Sequence, residues 1–314
     1  MTSTAPSDPL LDDLAVPISF ESRYGDGVDR AIVLGGGGLF FVAWQISYLH
    51  GLVRRGVELD RAELVVGTSA GSIVASILTS GRLSRFATKV DLLSKPPSLV
   101  AALAGSGTLR PSQERARDAF ALATDAEPDT VRAIGHAALA AQATPSAQTQ
   151  RSIGFVMGVR RWSSAALRIS TVDTYTGERL VLRADHGLSL PRAAAASAAV
   201  PGLFSPCQIG DRRCMDGGVS GSGLHSDLVA GATRAIVVSL VGGETSHPGG
   251  MTSAPNGQLV ELDHLRSSGT EVHVAGPSGV TPEQLMDPTA MARALELGEQ
   301  QAEADAPAVA QLWS

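Results

Sequence analysis

The stretch Gly67-Thr68-Ser69-Ala70-Gly71 holds the most reactive arrangement in this sequence. It lies between the apolar run Leu64-Val65-Val66 and a second apolar run from Ile73 to Leu78. A G-x-S-x-G pattern at a strand-to-helix junction lifts a serine hydroxyl above the edge of a sheet. Gly67 and Gly71 are the places where a Cβ would clash in that tight turn. Ser69 is therefore a candidate nucleophile, and its plainer use is as the N-cap of the following helix. A serine at its ordinary pKa is a weak nucleophile and needs a base. The chain has seven histidines, none in a local pattern that singles it out. The better candidate is Asp216, which ends a short strand and precedes Gly217-Gly218, so its carboxylate can approach another backbone closely. The plainer reading of Asp-Gly is a turn.

Four consecutive glycines, Gly35 to Gly38, follow Ile32-Val33-Leu34 and lead into Leu39-Phe40-Phe41. A strand–glycine–helix junction aims backbone N–H groups at an anion. The dinucleotide fingerprint requires a third glycine where this chain has Phe40 or Phe41, and the Walker loop requires a lysine that is absent nearby. An oxyanion hole is the remaining functional reading. A close strand–helix crossing is the structural alternative.

These stretches need elements to position them. Short β-branched runs predict strands at 31–34, 64–66, 167–172, 180–182, 235–240 and 271–275. Helical stretches fall at 42–54, 69–78, 192–199, 224–231, 258–267 and 288–311. Such alternation indicates α/β architecture with a mainly parallel sheet covered on both faces. Between about 82 and 165 the strand signals stop, and an Ala-, Leu- and Arg-rich stretch suggests a helical insertion or lid. Residues 1–27, rich in Pro, Ser and Asp, read as a loosely ordered tail before a domain spanning 28–314. Residues 242–257 read as a loop. In the segment from Cys207 to Cys214, Gly210-Asp211 would turn a hairpin that brings the two cysteines opposite each other.

The 314 residues are 44% hydrophobic, enough for a sizeable core, and the net charge of −6 gives no basic surface for nucleic acid. No apolar run approaches the ~20 residues a bilayer span needs. No signal peptide is read at the start, so the expectation is a cytoplasmic protein with reduced cysteines.

Taken together, the glycine loop, the G-x-S-x-G turn and Asp216-Gly217-Gly218 resemble the patatin-like phospholipase family. The small-residue run "AAAASAAVPGLFSP" ahead of the aspartate adds to the likeness. The resemblance implies a three-layer α/β/α sandwich and a carboxylic ester hydrolase with a Ser–Asp dyad. It assigns Ser69 as nucleophile, Asp216 as general base, and the N–H groups of Gly36, Gly37 and Gly38 as the oxyanion hole. It implies no metal and no cofactor, and a lipid or other acyl-ester substrate; transient contact with a membrane surface would go with a lipid substrate and is not itself written in the chain. The family commonly has Arg or Lys and then Gly where this chain has Phe40 and Phe41. The two rings either pack the loop and line an acyl pocket, or plug the site and leave an impaired, acyl-binding homologue. A further alternative is a Ser–His–Asp triad, with His225 or His247 as the base.

Overall fold

The computed structural model describes residues 14–94, 108–240 and 256–314, with side chains left undescribed at 91–94. Eight strands form one sheet: β1 (Arg30–Leu34), β2 (Leu64–Thr68), β3 (Leu167–Asp173), β4 (Arg179–Leu182), β5 (Cys207–Ile209), β6 (Arg212–Asp216), β7 (Arg234–Val238) and β8 (Glu271–Ala275). Their order is β5-β6-β3-β2-β1-β7-β8, with β4 also paired to β3. The β8-β7-β1-β2-β3 part is parallel throughout. β4, β5 and β6 enter antiparallel.

The central strands are continuous apolar runs because both of their faces are covered. Along β1, Ile32 and Leu34 join one core cluster while Ala31 and Val33 join another, as the two-residue repeat of a strand requires. The first face is covered by α1 (Gly38–Arg54), α2 (Ala70–Thr79), α3 (Leu83–Ser94), α7 (Leu190–Ser197) and α9 (Met291–Trp313). The second is covered by α8 (Gly257–Ser267) and a 3-10 turn at Ser226–Val229. This is the expected three-layer sandwich. The stretch from 82 to 165 also contains α4 (Pro111–Ala121), α5 (Pro128–Ala140) and α6 (Ser146–Met157). A third cluster holds α4 and α5 against Val172, Met215 and Val219.

Three elements differ from the sequence expectation. α1 begins at Gly38 rather than at 42, so Phe40 and Phe41 belong to the helix and not to the loop. The predicted helix at 224–231 is only the 3-10 turn, because His225 adopts a left-handed conformation (φ 58°, ψ 39°) that breaks helical geometry. Residues 14–27 do not trail as a loose tail. Ala15 bridges to Leu180, and the N–H of Val181 donates to the Leu14 carbonyl, with Leu14 buried against the core. Residues 1–13 and most of the predicted loop at 242–257 lie outside the described residues. The β5–β6 hairpin pairs Cys207 with Cys214 and Ile209 with Arg212, in the expected register. Burial pushes the Cys207 thiol up to about 11 and the Cys214 thiol further still, so both are protonated at neutral pH.

The sheet's most consequential feature is the shared edge of β3. β2 pairs with β3 from Leu167 to Ser170, running parallel to it. β6 pairs with β3 from Thr171 to Asp173, running antiparallel. β4 spans Ile169 to Val172 and so occupies the other edge. β2 and β6 must then lie end to end on one edge, with their C-termini meeting between Ser170 and Thr171. The residue after β2 is Ser69, and the last residue of β6 is Asp216. Two hydroxyl contacts secure the junction: Thr68 with Ser170 at 2.6 Å, and Thr171 Oγ1 donating to the Met215 carbonyl at 2.6 Å.

Candidate active site

The meeting of β2 and β6 brings Ser69 Oγ to 2.7 Å from Asp216 Oδ2, although the two residues are 147 positions apart in the chain. The other carboxylate oxygen, Oδ1, accepts from the Gly218 N–H at 2.7 Å. This arrangement leaves no room for a side chain at Gly217. A Cβ on Gly217 would stand 2.6 Å from the Ser170 carbonyl oxygen. Both reactive groups are buried, Ser69 at 3% and Asp216 at 1% exposure. Burial favours the neutral carboxyl and raises Asp216 from 3.8 to about 7, against the lowering effect of the bonds from Ser69 and Gly218.

Ser69 has φ 52° and ψ −119°, a conformation that L-residues rarely adopt. Strain of this kind costs about 1–3 kcal/mol and persists only where the surroundings over-determine it. The surroundings here are two glycines and a hydroxyl. A Cβ on Gly71 would lie 1.9 Å from the Leu34 carbonyl oxygen, and one on Gly67 would lie 2.7 Å from the Gly71 carbonyl oxygen. The Ser69 N–H donates to Ser197 Oγ at 2.9 Å. Ser69 thus caps α2 by position, but its side chain makes no cap hydrogen bond and turns to Asp216 instead.

The glycine loop passes directly over this serine. A Cβ built on Gly36 would be 3.1 Å from Ser69 Cβ and 3.7 Å from its Oγ. The Gly35 carbonyl accepts from the Gly71 N–H at 3.1 Å and from Gln45 Nε2 at 2.8 Å, which locks loop and serine turn together. Among the described residues no backbone carbonyl outside the helix accepts from the N–H of Gly36, Gly37 or Gly38. Gly38 starts α1, whose first N–H groups lack intrahelical partners.

Phe40 and Phe41 are core residues in this arrangement. Both rings are buried, and Phe41 stacks on Trp44 at 5.6 Å between centroids. Phe41 lies beneath Gly37, where an added Cβ would be 2.7 Å from Phe41 Cβ. Neither ring stands between Ser69 and Asp216, which are in direct contact. The Phe40 N–H donates to the Leu285 carbonyl at 3.1 Å, and Leu285 and Met286 pack where a Cβ on Gly38 would stand. Gln45, Phe41 and Leu285 thus hold the glycine loop and the start of α1 in place.

His225 does not reach Ser69. Its Nε2 bonds the Gly217 carbonyl at 2.8 Å, and Nδ1 faces Arg179. His247 lies outside the described residues. Sequence reading missed Ser197, Gln45 and Leu285. Ser197 alone carried a signal, as the one hydroxyl within an alanine run. Among the described residues, no group of three or more His, Cys, Asp or Glu side chains converges to hold a metal, and no helix is long and apolar enough to cross a membrane. A cleft of about 540 Å³, lined by Arg82, Phe155, Arg160, Arg161 and Trp162 among others, includes neither Ser69 nor Asp216.

The profile of the patatin-like phospholipase family matches residues 32–225, more than half of the chain, and the chain belongs to that family. At the coarse level this makes it a lipid acyl hydrolase. Among solved structures, VipD from Legionella pneumophila is 14% identical, with 94% of this chain and 68% of that chain covered and a TM-score of 0.40. The type III effector ExoU is 20% identical, covering 90% and 54%, with a TM-score of 0.32. ExoU in its complex with SpcU from Pseudomonas aeruginosa is 20% identical, covering 88% and 52%, with a TM-score of 0.34. The chain spans about half the length of the ExoU chains. No curated protein compared with it matches by sequence.

Proposed function

We propose that this chain is a serine-dependent acyl-ester hydrolase, lipase- or phospholipase A-like, that works through a Ser69–Asp216 dyad. Asp216 accepts the Ser69 proton as Oγ attacks the acyl carbonyl carbon. The negative oxygen of the tetrahedral intermediate is held by the N–H groups of Gly36, Gly37 and Gly38. Collapse breaks the ester bond, and Asp216 returns the proton to the departing alcohol. A water then gives a proton to Asp216 and attacks the acyl-enzyme, and the second collapse releases the carboxylic acid and restores Ser69. Asp216, raised to about 7, exchanges protons efficiently near neutral pH.

The observation that carries this reading is the 2.7 Å contact between Ser69 Oγ and Asp216 Oδ2, at a residue with strained backbone. The bond from His225 to the Gly217 carbonyl favours a dyad over a triad. Phe40 and Phe41 stiffen the loop from below and leave its backbone donors in place. Both reactive groups lie below the protein surface, so the acyl carbonyl is attacked in a buried, water-poor setting.

The test is fluorophosphonate labelling beside a panel of p-nitrophenyl esters and phospholipids, with wild type and Ser69→Ala run in parallel. Wild type should take the label and turn over at least one ester class, and Ser69→Ala should do neither. Labelling or turnover that persists in Ser69→Ala would rule the proposal out.

A further inference from the structure

The turn Leu224-His225 touches both halves of the candidate site. Leu224 Cδ2 lies 2.9 Å from where a Cβ on Gly35 would be, at the base of the glycine loop. His225 Nε2 bonds the Gly217 carbonyl, one residue beyond Asp216. The His225 backbone is left-handed, an uncommon conformation outside glycine that is enriched in Asn, Asp and His. Behind the ring lies an ion pair with almost no solvent contact. Arg179 Nη1 and Nη2 donate to Asp227 Oδ1 and Oδ2 at 2.6 and 2.8 Å. The same guanidinium holds the Val16 and Pro17 carbonyls.

From this geometry we infer that His225 is a positioning residue for Asp216, acting through the Gly217 carbonyl and held in one tautomer by the Arg179–Asp227 pair. The inference rests on the Ser69–Asp216 reading given above. A carbonyl oxygen only accepts, so Nε2 carries the hydrogen. Nδ1 then presents a lone pair, and the group facing it at 3.4 Å is Arg179 Nη1, which only donates. A neutral ring in one tautomer satisfies every contact. Burial and the nearby Arg179 hold His225 down at about 4, so it stays neutral through the range where an ester hydrolase is assayed. Among the described residues, the other ionisable groups at this corner are Asp227, which pairs with Arg179, and Glu261 of α8, which accepts from Ser222 Oγ and the Ser226 N–H.

With the Gly217 carbonyl anchored, the Asp216-Gly217-Gly218 turn is fixed and the Gly218 N–H is aimed at Asp216 Oδ1. That bond stabilises the ionised carboxylate. Releasing the carbonyl lets the turn relax, lengthens the bond and raises the pH at which Asp216 becomes a competent base. The side-chain contact with Ser69 loses definition at the same time. A hydrogen bond that does not touch Ser69 thus governs the orientation and protonation of its partner, Asp216.

The test compares the full-length chain with His225→Leu and His225→Gln on a p-nitrophenyl ester across pH, normalising each rate to sites titrated with fluorophosphonate. For His225→Leu we expect kcat per titrated site to fall about 10- to 100-fold with KM little changed. The acid limb of kcat/KM should move up by about one pH unit. His225→Gln, which can place an N–H near the former Nε2, should recover most of kcat and return the limb. If His225→Leu does not fold, His225→Asn carries the same expectation, since it suits the left-handed backbone but stops short of the carbonyl. Wild-type kcat and an unmoved limb in the Leu or Asn variant would overturn the inference. Failure of the dyad reading would look different: wild type itself would take no label at Ser69.

Discussion

Replacing Asp216 by Asn separates the chemical use of this carboxylate from its cost to the fold. In the unfolded chain the group titrates near its ordinary 3.8, and in the fold burial holds it at about 7. Below 3.8 both states contain the neutral acid, and burying it carries no charge penalty. Between 3.8 and 7 the unfolded chain ionises while the fold keeps its proton, so stability falls as pH rises. Above 7 both states are ionised and the loss is complete. At ~1.4 kcal/mol for each pKa unit, the ionised carboxylate destabilises the fold by about 4 kcal/mol at pH 8. Asn matches the neutral acid in shape and still offers an oxygen to the Gly218 N–H. Asp216→Asn should therefore lose about 10²–10⁴-fold in kcat. It should also gain stability over wild type, by only a small margin near pH 4 and by several kcal/mol at pH 8. Urea unfolding of both proteins at the two pH values measures this directly. An equal stability difference at pH 4 and pH 8 would refute the claim that a buried charge is what this site sustains.

Other perturbations test the backbone. Ser69→Gly should be more stable than Ser69→Ala by about 1–2 kcal/mol in urea unfolding, because glycine relieves the φ of 52° that alanine retains. Gly71→Ala should fail to accumulate as soluble folded protein on expression, since its Cβ would lie 1.9 Å from the Leu34 carbonyl oxygen. Phe40→Arg with Phe41→Gly, which restores the cation-then-glycine pattern, should lower esterase activity and thermal stability together. Truncating one such buried aromatic costs about 3–5 kcal/mol.

Much of the fold was legible in the sequence because its strands are buried on both faces and its glycines are few-purpose. The runs at β1, β2 and β3 read as strands from β-branched content alone. Gly67 and Gly71 declared a tight turn that the carbonyls of Leu34 and Gly71 then enforce. Ser69 and Asp216 could each be picked out locally, but nothing local says that β2 and β6 share an edge of β3 and so bring the two together. What escaped reading depends on long-range contact. Phe40 and Phe41 looked like loop residues because four glycines precede them, yet the Leu285 carbonyl caps the helix early enough to enclose both rings. His225 looked like one histidine among seven, because its partners Gly217 and Arg179 come from two other elements. Leu14 and Val16 were masked by their polar neighbours, although the Arg179–Asp227 pair gives that segment an anchor.

The end-to-end placement of two strands on one edge of β3 makes that strand a jig for the reactive pair. Their spacing is set by a register counted in a handful of residues, whatever the length of chain looped out between them. The helices from α3 to α6 can therefore lengthen, shorten or be exchanged without loosening the 2.7 Å contact. The contact is thereby insulated from the length of the excursion between β2 and β3, because its geometry is held by the pairing to β3 alone.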